Sequence, residues 1–192
     1  MAVDERRAAI VEAALPLLRE NGAAVTTKEI ALAAGVAEGT VFRVFESKDA
    51  VVSACIAQAF DTAAVIERLE AIDRTLPLEL RLVAGVEVMK VHTEGIIGLM
   101  SVLHSTGQPF ERSKPAGGPG PRRTSPEVDA AFHDLIGPDA HRFRYPVQRV
   151  ITFLSMLTLA SAHPMLPNDG ATPADVVAVL LHGALTSESE ND

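Results

Sequence analysis

The chain contains no tryptophan, one tyrosine and one cysteine, and aromatic residues make up only 4% of it. A single cysteine, Cys55, excludes an intramolecular disulfide. It reads as a small buried hydrophobe on a helix in preference to a redox-sensing thiol. β-Branched and aromatic residues alternate over no long run, which disfavours a sheet and points to an all-α fold. No apolar run reaches the length that spans a bilayer, and the opening MAVDERRAAI lacks the apolar stretch of a signal peptide. A cytoplasmic protein with no membrane partner is expected.

Positive charge is scarce as well. Seventeen Lys/Arg stand against twenty-five Asp/Glu, a net charge of −8. Residues 1–50 hold six basic against eight acidic side chains, and the remainder eleven against seventeen. A protein that coats nucleic acid without regard to sequence is basic, so this composition excludes that class. A sequence-specific reader needs only a local basic face, and the low charge then implies few phosphate contacts. The six histidines form no H-x-x-x-H pair and none adjoins the cysteine, so no metal site is expected. His163 and His182 are assigned to helix ends or a subunit interface. Serine, histidine and acids occur in no motif tied to a strand-turn-helix nucleophile, so neither catalytic residues nor a cofactor are expected.

What is present is helical, apolar and punctuated. The length of 192 residues and 47% apolar composition suit one or two compact domains. A first helix is predicted from Asp4 to Asn21, with Ile10, Ala14, Leu17 and Leu18 at helical spacing. Pro16 inside it implies a kink or a late start. Thr26 opens T-T-K-E, a capping box with Glu29, and Gly35 ends a short helix at a tight turn. A second short helix starts near Ala37. Ser47 caps a long helix from Lys48 to about Leu69. Further helices are predicted from Leu78 to His104, from Ser125 or Pro126 to Ile136, from Asp139 to Ala162 and from Thr172 to Leu185. Residues 105–126 carry five prolines and four glycines, which excludes regular structure and suggests a flexible loop.

Thr26 to Lys48, TTKEIALAAGVAEGTVFRVFESK, has the form of a helix-turn-helix, whose second helix lies in the major groove of DNA. Small Ala34 and Gly35 stand where two helices cross. Val36, Val41, Phe42 and Phe45 suit the inner face of the second helix, and Glu38, Gly39, Thr40, Arg43 and Val44 the outer one. Gly39 is a poor helix former, which suggests close backbone approach to something outside.

The segment resembles the TetR (tetracycline-repressor) family of bacterial regulators. Thr27, Ile30, Ala31, Ala34, Gly35, Val36, Gly39, Thr40, Phe45, Ser47, Lys48 and Val51 follow that family's order and spacing. The resemblance implies an N-terminal three-helix DNA-binding domain over residues 1–47. It also implies a helical domain over residues 48–192 that binds a small-molecule effector and forms a homodimer through its last two long helices. The implied DNA is a palindromic operator, released when the effector moves the helix that starts at Lys48. DNA contacts carried over are Thr26, Thr27, Lys28, Ala37, Glu38, Gly39, Thr40, Arg43, Val44 and Lys48. Arg43 is the candidate for a bidentate contact to guanine. The family often has Ser, Tyr and His where Ala37, Phe42 and Val44 stand here, so polar groups that could touch DNA are fewer.

In the second half, Met89, His92, Thr93, Ile96, Met100, Phe132, Phe153 and Leu157 are the candidate lining of an apolar effector pocket. Val176, Val177, Val179, Leu180, Ala184 and Leu185, with Val150, Phe153, Leu154 and Leu157, form the candidate two-helix dimer face. The residues leave two other classes open. One is a helical enzyme or carrier that contains a helical hairpin; the other is a regulator without ligand-controlled DNA release.

Overall fold

Nine α-helices and two short 3-10 segments, with no strand among the described residues, make up a computed structural model of the chain. It describes residues 3–105, 125–166 and 169–183. The expected all-α class holds. Of the loop predicted over 105–126, Ser105 ends α6, Ser125 caps α7 and Pro126 starts it; residues 106–124, and the end of the last predicted helix with Ala184 and Leu185, lie outside the described residues.

Helix α1 (Val3–Asn21) runs through Pro16 and does not start late. The proline lies on the exposed side, where its missing N–H leaves the Glu12 carbonyl to solvent. A 3-10 turn over Gly22–Ala24 leads to α2 (Thr27–Ala33). The capping box is complete. The Thr26 hydroxyl accepts from the Glu29 amide at 3.2 Å, and the Glu29 carboxylate accepts from the Thr26 amide at 2.8 Å. Donation from the Thr26 amide, and also from its hydroxyl, holds the Glu29 carboxyl below its ordinary range. Gly35 turns the chain at φ +66°, a conformation that costs a glycine little. Helix α3 (Glu38–Val44) follows, then α4 (Lys48–Ala59), capped by the Ser47 hydroxyl on the Ala50 amide at 3.1 Å.

Two predicted helices are shorter than expected. The one from Lys48 ends at Ala59, and a separate α5 (Ala63–Glu70) resumes after Phe60–Thr62. No glycine or proline marks that break; it falls at the boundary between two compact units. By length and composition alone, Lys48–Glu70 is apolar enough to cross a bilayer, against the expectation that no stretch would be. The helix is interrupted there, however, and Val51, Val52 and Cys55 are buried in protein. The helix expected from Asp139 starts only at Val147. Gly137–Arg142 forms a 3-10 turn, and Pro146 stands immediately before α8 (Val147–Ala162). The remaining helices are α6 (Leu78–Ser105), α7 (Pro126–Ile136, N-capped by Ser125) and α9 (Pro173–His182).

Of the described residues, the first compact unit takes 3–61 and 95–105, the second 62–94, 125–166 and 169–183. In the first, Ile10, Ala14 and Leu18 of α1 pack with Ile30, Val41, Phe45, Val51, Cys55, Leu99 and Leu103. In the second, Leu82 and Val86 of α6 pack with Phe132, Leu135 and Ile136 of α7, and with Ile151, Leu154 and Val177. Gly85 lies at the closest approach: a β-carbon there would stand 2.9 Å from both Leu135 Cδ2 and Phe132 Cε1. Buried Arg81 ties the end of α7 to the following turn. Its Nη1 donates to the Leu135 carbonyl at 2.7 Å, and its Nη2 pairs with Asp139. Asp139 also accepts from Arg142 at 2.8 Å.

Candidate nucleic-acid interface

Helix α3 advances by about 100° per residue. Val41 and Val44, three apart, therefore share one side, and Glu38, Gly39, Phe42 and Arg43 the opposite one. The burial follows this division. Val41 is 1% exposed and Val44 packs half-buried on the core, whereas Glu38, Gly39, Phe42 and Arg43 face outward. The structure thus exchanges two expected positions: Phe42 is 51% exposed and Val44 turns inward. The helical period sets both positions, and the end of the helix sets that of Phe45. Phe45 follows the last turn in an extended conformation, at φ −127° and ψ 134°. It leaves helical register and fills the core itself, at 2% exposure.

Each expected DNA contact has a definite place. Thr26 and Lys28 are exposed at the start of α2. Half-buried Thr27 donates its hydroxyl to Glu38 Oε1 at 2.6 Å, joining the starts of the two short helices. Ala37 is the exposed N-cap of α3 and makes no side-chain cap. Thr40 is half-buried on the flank of the helix. Lys48 is half-buried, and its ammonium donates to the Ala23 carbonyl at 2.6 Å, pinning the start of α4 to the turn after α1.

A β-carbon added to Gly39 would meet no atom within 4 Å. The protein itself therefore gives no reason for a glycine there. Sequence reasoning missed two features. The Arg7 guanidinium stacks 4.3 Å from the centroid of the Phe45 ring, placing a cation beside the C-terminal end of α3. The Thr27–Glu38 bond spans eleven residues, and no local pattern signals either contact.

The candidate effector residues fall in both units. Ile96 and Met100 lie on the part of α6 that belongs to the first unit, where Met100 packs on the core. Met89, His92 and Thr93 are half-buried on α6 in the second unit, and the Thr93 hydroxyl donates to the Met89 carbonyl at 2.8 Å. Phe132 is core and Leu157 packs against it. Phe153 alone of the eight lines a cleft of about 670 Å³ in the second unit, with Leu78, Phe143, Tyr145, Val150 and Leu181 among its other walls. Among the described residues no group of three His, Cys, Asp or Glu side chains stands close enough to hold a metal ion.

Two short crossed helices, the second turning an outer face of polar, bare and aromatic positions to solvent, define a DNA-binding regulator of the helix-turn-helix class. Residues 10–55 match the model of the family described as bacterial regulatory proteins, tetR family. The match covers α2, α3 and the parts of α1 and α4 that pack on them, about a quarter of the chain. Among solved structures it is similar to a tetR-family transcriptional regulator from Streptomyces coelicolor at 23% identity. The TM-score is 0.57, covering 95% of this chain and 79% of the other. A second TetR regulator of that organism is 19% identical with TM-score 0.54, covering 92% and 97%. These likenesses extend the shared fold over more than nine-tenths of the chain.

Proposed function

We propose that the chain is a transcriptional repressor that binds a palindromic operator as a homodimer and is released by a small, mostly apolar effector. The observation that carries the DNA-reading part is Gly39. It sits on the outer face of α3, costs helix stability, and relieves no crowding inside the protein. A surface that must approach this backbone closely accounts for it, and the major-groove wall is such a surface. Arg43, exposed one turn further along the same row, reaches base edges in that pose.

For the dimer, support comes from apolar side chains left outside the core. Phe153, Met156 and Leu159 on α8 are 40%, 42% and 40% exposed, and Val179 on α9 is 49% exposed. Val150, Leu154, Val176 and Val177, also expected in the face, are instead buried in the core of the second unit and are not available to a partner. Two copies joined on α8 and α9 would close a four-helix arrangement and present two reading helices about one DNA turn apart. For the effector, Met89, His92 and Thr93 offer an apolar wall with polar handles. The regulator would act in the cytoplasm, where its DNA lies.

Substituting Arg43 tests the reading. Arg43→Ala should weaken operator binding by about 1–3 kcal/mol and relax preference at one base pair of each half-site. An equal loss on every DNA sequence would make Arg43 a phosphate contact and leave the specificity elsewhere.

A further inference from the structure

The geometry points to Glu38 as a reader of cytosine in each operator half-site, with Thr27 as the residue that aims it. This rests on the DNA-binding reading proposed above. An acidic side chain on the DNA-facing side of a regulator is a liability unless it is matched, because the duplex presents phosphate charge along both strands. Glu38 is exposed at the first position of α3, on the same side as Gly39, Phe42 and Arg43. Its carboxylate does not swing freely, because the Thr27 hydroxyl donates to Oε1 at 2.6 Å. Thr27 is itself half-buried at the first position of α2. The hydroxyl expected to touch DNA is therefore turned towards the recognition helix.

A carboxylate accepts hydrogen bonds at about four lone-pair positions, so one bond from Thr27 leaves capacity for a base. Residues at the N-terminal end of a recognition helix are those that meet base edges. In the major groove only cytosine and adenine present an amine donor. Adenine places its N7 acceptor next to that amine, where it repels a second carboxylate oxygen, while guanine and thymine offer oxygen acceptors. A fixed carboxylate therefore selects cytosine by attraction and rejects guanine and thymine by leaving two acceptors face to face. The bond from Thr27 restricts the rotamers of Glu38 before DNA arrives. That turns a mobile repulsive charge into a directed acceptor.

The test is selection from randomised duplexes by the full chain and by Glu38→Gln, Glu38→Ala, Thr27→Ser and Thr27→Val. The native chain should enrich a C·G pair at one position of each half-site. Glu38→Gln keeps the bond from Thr27 but gains an amide donor, and should move that position alone to A·T. Glu38→Ala should erase the preference there, a loss of about tenfold or more in discrimination. Thr27→Val should blunt it and Thr27→Ser restore it, while the Thr26–Glu29 cap stays intact in both. A purely structural bond would leave the selected sequence unchanged. Wild-type base preference retained by both Glu38 variants would overturn the assignment and reduce the pair to a brace between helices. If the native chain enriches no duplex at all, the regulator reading itself fails, an outcome distinct from enrichment that ignores residue 38.

Discussion

Gly39→Ala separates the demands of the fold from those of the DNA. Gly39 lies in α3 with open space where a β-carbon would point. Its backbone is not at positive φ, so alanine fits the helix without strain. An interior glycine costs a helix about 0.5–1 kcal/mol relative to alanine. The variant should therefore be as stable as the native chain or gain up to that amount. For a chain of this size, that is a rise in Tm of about 1–4 °C. Against DNA the same methyl group should act in the opposite sense. Where the helix backbone presses on the groove wall, an added carbon must push the helix out, and overpacking at a tight contact costs about 1–3 kcal/mol. That corresponds to a loss of roughly five- to 150-fold in affinity. Thermal unfolding and gel-shift titration of one preparation read both effects. A destabilised variant would show that α3 itself needs the glycine. A variant with native affinity would show that nothing approaches this backbone.

Three further outcomes follow from the structure. Phe42→Ala should change stability by less than about 0.5 kcal/mol, being exposed, whereas Phe45→Ala should cost about 3–5 kcal/mol because Phe45 fills the core; denaturant titration distinguishes the two. Burial pushes the Cys55 thiol from its ordinary 9.0 up to about 12, so the native protein should resist iodoacetamide at pH 8 and react only on unfolding. Because the folded value is the raised one, this burial weakens the fold only as pH climbs from 9.0 towards 12. Asp139 is held below its ordinary 3.8, first by the hydrogen bond from Arg142 and further by Arg81, against partial desolvation. Its contribution is present above pH 3.8 and lost as pH falls through the lowered folded value. Asp139→Asn should therefore be less stable than native at pH 7, with the gap closing in acid unfolding below pH 3.8.

The helix ends were legible where a cap or a turn residue marks them. Thr26, Ser47 and Ser125 each cap the helix expected of them, because a side-chain oxygen three residues before an amide is a local signal. The break after Ala59 carries no glycine or proline; its local signal is Asp61-Thr62, two poor helix formers of which Thr62 becomes the N-cap of α5. The faces of α3 were half legible. Periodicity from buried Val41 turns Phe42 and Arg43 outward and Val44 inward, but it cannot anticipate that Phe45 leaves the helix to fill the core. Contacts such as Thr27–Glu38 and Arg7–Phe45 depend on how the short helices cross, and no spacing along the chain encodes them. The effector residues were the least legible, because half-buried methionines and aromatics serve a core and a pocket alike.

The central claim is that the outer face of α3 reads a particular DNA sequence. Footprinting of genomic fragments with the purified full chain at low salt tests it most directly. The account predicts protection of a palindrome whose half-site centres lie about one helical turn apart. It also predicts that the protection shrinks or vanishes with Arg43→Ala. Uniform coverage of all fragments, or none protected even at low salt, would contradict it.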